Sequence, residues 1–349
     1  MKPIRMITAI AAGAVGLALA GPASAEKLVI SNWDGYMPAD MLEKFTAATG
    51  IEAELSVHAT NEEIMGKVVA GKGKGYDVLF VSSPFVEALK NLDLIAELDH
   101  AKIPNMQNLY SEAMGLKYDP GNTVSVPYAW GTTGLCYRSD QVAASPDSWM
   151  DLLKPADDLT GKITMLSTDR WLMGAAMLAL GHSVNETDSA KLDEAKALLV
   201  ETKKDLLAYD DTTFYSKLVS GEALLVHAWD GWCNYGIGEN ADIKYTIPKE
   251  GSDLWVDTMV VTKASENKEA AHKFLDFVLE AENGAWVPSN ILYKVPNKAA
   301  MEALDAALIE QYPNLGMTPD ELLKHEQLRD LGAGQKAFSR TVTEILASK

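Results

Sequence analysis

The chain has 349 residues, 47% of them hydrophobic, with 49 acidic against 31 basic side chains and a formal charge of −18. A surface this acidic repels phosphate, which argues against nucleic acid as a partner, while it draws small cations toward any cleft. Cys136 and Cys233 are the only cysteines: two thiols make a poor metal cage, and they permit one disulfide that their spacing does not decide.

In chain order, Lys2 and Arg5 precede an apolar run from Ile7 to Ala20, and Ala23-Ser24-Ala25 has the small-x-small form of a cleavage site. Residues 1–25 therefore read as a signal peptide of an exported protein. What remains is long enough for two domains of ordinary size, and no later run is apolar enough to span a bilayer.

The mature chain opens on the strand-like Lys27 to Ser31, followed by a helix entered at Pro38 with Met41, Leu42 and Phe45 on one face. Ile51, Ala53, Leu55 and Val57 alternate as a half-buried strand. Thr60-Asn61-Glu62-Glu63 is a capping box opening a helix that carries Ile64, Val68 and Val69. Asp77 to Val81 is a continuous apolar strand, and Ser82-Ser83-Pro84 starts the next helix. Alternating strands and helices predict an α/β fold with a parallel sheet covered on both faces.

Farther on, Leu192, Ala195, Leu198 and Leu199 mark an amphipathic helix, 224–228 a buried strand and 259–262 another. A helix follows through Ala271, Phe274, Leu275 and Val278, and helical patterns at 301–308, 319–328 and 337–346 close the chain.

Three aromatic and acidic clusters stand out: Trp33-Asp34-Gly35-Tyr36, Trp229-Asp230-Gly231-Trp232 and Trp255-Val256-Asp257. Each is expected directly after a strand, where open sheets bind ligands. Ring faces attract an ammonium by about 0.5–2 kcal/mol depending on desolvation, and a neighbouring carboxylate fixes where the charge sits. The clusters together predict a cage for an organic cation.

Other chemistries find little support. Gly66 to Gly73 nearly matches a phosphate-binding loop but lacks the Ser or Thr after Lys72, and it runs from helix to strand, the reverse of the required order. The six histidines show no metal-ligand spacing, and no Gly-x-Ser-x-Gly elbow supports a secreted hydrolase. No metal and no cofactor are implied.

Taken together, Asn32-Trp33-x-x-Tyr36, Tyr76-Asp77 leading to Ser82, Val126-Pro127-Tyr128-x-Trp130-Gly131, Trp255-x-Asp257 and Pro296-Asn297-x-Ala299-Ala300 resemble the periplasmic spermidine/putrescine-binding proteins of ABC importers, over essentially the whole mature chain. The resemblance implies a type II two-lobed fold, each lobe a mainly parallel sheet flanked by helices. Lobe one would be 27–133 with 257–297, and lobe two 134–256 with 298–349. It implies a monomeric periplasmic receptor, not an enzyme, which delivers a small cationic solute to an inner-membrane permease. A role as partner of a chemoreceptor stays open.

Carried over by position, Trp33, Tyr36, Trp229, Trp255 and Tyr293 would form aromatic walls, Asp257 the amine-binding carboxylate and Ser82 a hydroxyl contact. The family's acidic position after the first Trp is Gly35 here, with Asp34 adjacent, and Asp211 stands at a hydroxyl position where it could restore the charge. At the far end of the slot the family's glutamate becomes Trp171 and its glutamine Leu328, so that end is less able to hold a second ammonium. Arg170, Asp230 and Arg329 are the remaining candidates. Either arginine, turned inward, would favour an amino acid-like zwitterion or an opine instead of a polyamine.

Overall fold

Residues 27–348 are described in the computed structural model, and the signal peptide read at 1–25 lies outside them. The first half follows the expected alternation: β1 (Leu28–Asn32), α1 (Met41–Thr49), β2 (Ala53–Val57), α2 (Asn61–Gly71), β3 (Val78–Ser82) and α3 (Ser83–Asn91). β1 pairs in parallel with both β2 and β3. Of the capping box read at α2 one half forms, Thr60 Oγ1 accepting from the Glu63 N–H at 3.1 Å, while the Glu63 carboxylate accepts from Ala59 N at 2.8 Å in place of Thr60 N.

Next comes β4 (Ser125–Arg138), fourteen buried residues that periodicity does not mark as one element. It is followed by α4 (Trp149–Leu153), β5 (Ile163–Met165), α5 (Asp169–Ala179), α6 (Ser189–Thr202), β6 (Leu206–Tyr209), α7 (Phe214–Ser220), β7 (Leu225–Trp229), α8 (Asp230–Glu239) and β8 (Ile243–Thr246). The chain then returns through β9 (Asp253–Val261), with α9 (Lys268–Val278) and α10 (Ala281–Asn290) behind it. It closes with α11 (Lys298–Glu302), α12 (Ala306–Gln311), α13 (Pro319–Leu322), β10 (Glu326–Gln327) and α14 (Gln335–Ala347).

Two lobes result, and β4 joins their sheets. Its first part pairs antiparallel with β9 over 125–132, and its last part with β7 and β8 over 133–138. Strand order is β2-β1-β3-β9-β4-β7-β5-β6, parallel toward the outside and antiparallel around the two crossing strands. Pro127 has no N–H to give the ladder, and the register shifts between Pro127 and Ala129. That bulge places Tyr128 so that its hydroxyl donates to Tyr36 O at 2.6 Å.

Three expectations change. The helix expected at 319–328 is the four-residue α13, because the chain leaves it to pair β10 with β9. The strand expected at 259–262 starts six residues earlier, at Asp253. The C-terminal segment assigned to lobe two is shared: α11 packs on α10 and α13 on the 111–115 turn, while α14 packs on α5 and α6. The two cysteines are bonded, tying β4 at Cys136 to α8 at Cys233 with Cα atoms 5.9 Å apart.

Candidate functional site

Asp257 sits mid-strand on β9, opposite Ser82 at the end of β3. Tyr36 Oη donates to its Oδ2 at 2.8 Å and Ser82 Oγ to its Oδ1 at 2.6 Å. Ser82 is itself held by Asn61, whose Nδ2 donates to Ser82 Oγ at 3.0 Å and whose Oδ1 accepts from Ser82 N at 2.9 Å. Burial raises the Asp257 carboxyl above its ordinary value, and the two hydroxyl donors pull it partly back. The Tyr36 phenol is pushed up by burial and then by the Asp257 charge, so it remains an O–H donor. An ionised carboxylate offers about four lone-pair positions, and these bonds use two.

Rings converge around this carboxylate. Trp33 meets Tyr36 edge-on at 5.4 Å, Tyr36 lies 6.2 Å from Tyr293, and Tyr293 meets Trp255 at 5.0 Å. Trp171 and Trp229 of the second lobe pack on each other at 5.4 Å and against the same apolar cluster that contains Trp255 and Tyr293. Such edge-on pairs add about 0.5–1.5 kcal/mol each beyond their buried area. Trp33, Tyr36, Trp171, Trp229 and Asp257 are half-buried, whereas Trp255 and Tyr293 are buried beside them.

Two glycines make the convergence possible. A Cβ on Gly131 would lie 2.3 Å from the Trp255 ring and 2.6 Å from Asp230 Oδ1, and one on Gly231 would lie 2.4 Å from the Tyr293 ring. Bare backbone therefore lets both rings lie flat against β4 and α8. Leu292, with φ of 58°, turns the chain out of α10, and Asn234 of α8 donates to its carbonyl at 3.0 Å, which brings Tyr293 into the cluster.

The other candidates are engaged within the protein. Asp230 is buried and paired with Lys294, with Thr132 N donating to it at 3.2 Å and Gly231 N at 2.8 Å. Asp211 braces the turn that leads into α5, accepting from Ser167 N at 2.8 Å and from the Ser167 hydroxyl. Arg170, buried, donates to Arg329 O at 2.6 Å and Asn185 Oδ1 at 2.6 Å, and burial lowers its pKa to about 10. Arg329 clasps Glu87 through Nε at 2.8 Å. Asp34 is exposed. Trp255 to Asp257 lie inside β9 instead of following a strand, since this strand continues through both lobes.

Sequence reading missed His58, Asn61, Tyr128, Lys294 and Asp253. His58 supports Trp33, its ring 4.9 Å away and its Nδ1 bonded to Ser31 Oγ at 2.8 Å, with burial lowering its pKa to about 4. Two of the five had a readable signal: Tyr128 stands in the Val126-Pro127-Tyr128 motif, and Asp253 completes a period-two alternation with Trp255 and Asp257.

Among known proteins, residues 40–315 match the model of the bacterial extracellular solute-binding protein family. A putrescine/cadaverine-binding protein of Pseudomonas aeruginosa is 30% identical over 357 residues, covering 99% of each chain. The spermidine/putrescine-binding periplasmic protein of Escherichia coli is 28% identical over 350 residues, again covering 99% of each. Among solved structures, the substrate-binding protein of a spermidine/putrescine ABC transporter from Streptococcus pneumoniae superposes with a TM-score of 0.78 at 28% identity, covering 92% of this chain and 99% of that one. The described residues contain no helix long and apolar enough to cross a membrane.

Proposed function

The chain belongs to the bacterial extracellular solute-binding proteins, and on that premise we propose that it captures a polyamine between its lobes in the periplasm and delivers it to an ABC permease of the inner membrane. It is a receptor and not an enzyme, like the relatives it matches along its whole length. One observation carries the reading: Asp257, half-buried and with lone pairs to spare, is held by Tyr36, which packs on the same apolar cluster as Trp171 and Trp229 of the second lobe.

In this reading Asp257 accepts from one ammonium, oriented by Tyr36 and Ser82. Trp33, Tyr36, Trp229, Trp255 and Tyr293 grip the methylene chain and present their faces to the charge. Asp230 and Asp211 act on shape, the first by neutralising Lys294 behind the rings and the second by bracing the turn that leads into the helix carrying Trp171. Both walls come from one chain, so a monomer suffices.

A zwitterionic solute would need an arginine facing the cleft, and both Arg170 and Arg329 are bound to protein acceptors. Calorimetry on the purified protein with putrescine, spermidine and γ-aminobutyrate tests this. Micromolar amine binding corresponds to about −8 kcal/mol. Binding of the amino acid with no binding of either amine would overturn the reading.

A further inference from the structure

Asp253, Trp255 and Asp257 alternate along β9, and a strand's period of two puts all three on one face. Packing agrees: Trp255, Met259 and Val261 belong to one apolar cluster, Leu254, Val256 and Val260 to the opposite one. At about 3.3 Å per residue the two aspartate Cα atoms lie about 13 Å apart, with the indole between them.

Asp253 is 3% exposed. One of its oxygens accepts from the Thr133 hydroxyl, while Oδ2 is buried with no hydrogen-bond partner. The indole of Trp171 lies near enough to steady the carboxylate, yet its N–H completes no hydrogen bond. Burial pushes the Asp253 carboxyl up to about 6, with Thr133, the Arg170 charge and Trp171 opposing the rise. Glu326 pairs beside it in register on β10 and is bonded only to neutral donors, Ser183 Oγ, Val184 N and Asn185 Nδ2. Arg170 acts on Asp253 through its charge alone, since its Nη atoms are spent on Arg329 O, Val184 O and Asn185. Two carboxylates share one guanidinium, which leaves this spot net negative.

An unpartnered, buried carboxylate oxygen is costly unless something donates to it. Resting on the polyamine reading above, we propose that Asp253 is a second cation subsite, which takes the far ammonium of a polyamine whose near ammonium is held by Asp257 and whose methylene chain runs along Trp255. Asp253, whose carboxylate lies close to the Trp171 indole, supplies the charge at that end. Trp171 is half-buried and must turn aside to admit the ammonium.

The spacing selects length. With charge-assisted contacts of about 2.7–2.9 Å at each end, two carboxylates about 13 Å apart suit ammonium groups about 8–13 Å apart. At roughly 1.2 Å per bond of an extended chain, the nitrogens of putrescine are about 6 Å apart and the terminal nitrogens of spermidine about 11 Å. Spermidine spans the pair and putrescine does not.

Calorimetry on wild type and Asp253→Asn, with spermidine and putrescine, tests the assignment. The substitution keeps the acceptor for Thr133 and should lower spermidine affinity at least tenfold, with putrescine changed less than twofold. Equal losses for both amines, or no loss, overturn the second subsite. Because Asn could weaken the fold, the unaltered protein provides an independent measurement: α,ω-diaminooctane should bind at least tenfold tighter than octylamine, and equal binding overturns the proposal. Wild-type protein that binds neither polyamine removes the functional reading itself, whereas wild type that binds both, with Asp253→Asn losing them equally, removes only the second subsite.

Discussion

Tyr36 and Asp257, 221 residues apart in the chain, meet in a 2.8 Å hydrogen bond that joins the first aromatic turn to the central strand β9. The bond holds the carboxylate in one rotamer beneath the rings. It also commits the phenol proton, so that the acceptor offered to a ligand is anionic and preorganised.

Replacing Asp257 by Asn keeps the shape and removes the charge. Amine affinity should fall at least tenfold, about 1.4 kcal/mol, for putrescine and spermidine alike. Calorimetry reads the change, and unaltered binding would exclude Asp257 as the ammonium partner.

Lys294 and Asp230 are 2% and 1% exposed, so each neutralises the other where water cannot. Lys294→Met leaves the Asp230 charge alone and should cost about 3–5 kcal/mol in denaturant unfolding. The double variant Lys294→Met, Asp230→Asn should recover most of the loss. No recovery would mean that the lysine matters through packing and not through charge.

A methyl group at Gly131 would overlap the Trp255 ring and the Asp230 carboxylate. Gly131→Ala should therefore displace Trp255, lower amine affinity and shift tryptophan emission. Wild-type affinity and emission in this variant would show that the ring can move aside freely.

His58 is held near pKa 4 against an ordinary value of 6.5, chiefly by burial. A base depressed in the folded state contributes stability that is complete above pH 6.5 and is lost as pH falls toward 4, because the unfolded chain then binds more protons. Thermal melts of wild type should weaken across that window, and His58→Gln should weaken less steeply. Parallel curves would assign the acid sensitivity to other groups.

The Cys136–Cys233 bond closes a loop of 97 residues between β4 and α8. Reduction should cost about 4.7 kcal/mol by the chain-entropy estimate and should loosen Trp229, which precedes α8 at the end of β7. Equal unfolding midpoints with and without reductant would contradict this.

Where signals are local, they were legible: the cap at Thr60, the apolar run of β3 and the amphipathic face of α6 all stand as read. The aromatic clusters were legible as well, since Trp close to Asp is visible in single-letter code, although the third lies inside β9 and not at a strand end. Their meeting was expected from that placement, but what brings it about was not legible. It depends on β4 changing partners midway, on a bulge at Tyr128 that Pro127 forces, and on two glycines that let rings cross backbone.

From its sequence alone the protein is an acidic, exported α/β chain with three cation-suited clusters, because composition, periodicity and capping act over a few residues. Tertiary structure alone decided which carboxylates are cancelled by a partner charge. Asp257 and Asp253 share a face of β9, while Asp230 is cancelled by Lys294, 64 positions away. Pairing across such distances is set by strand register and packing, and no local pattern encodes it.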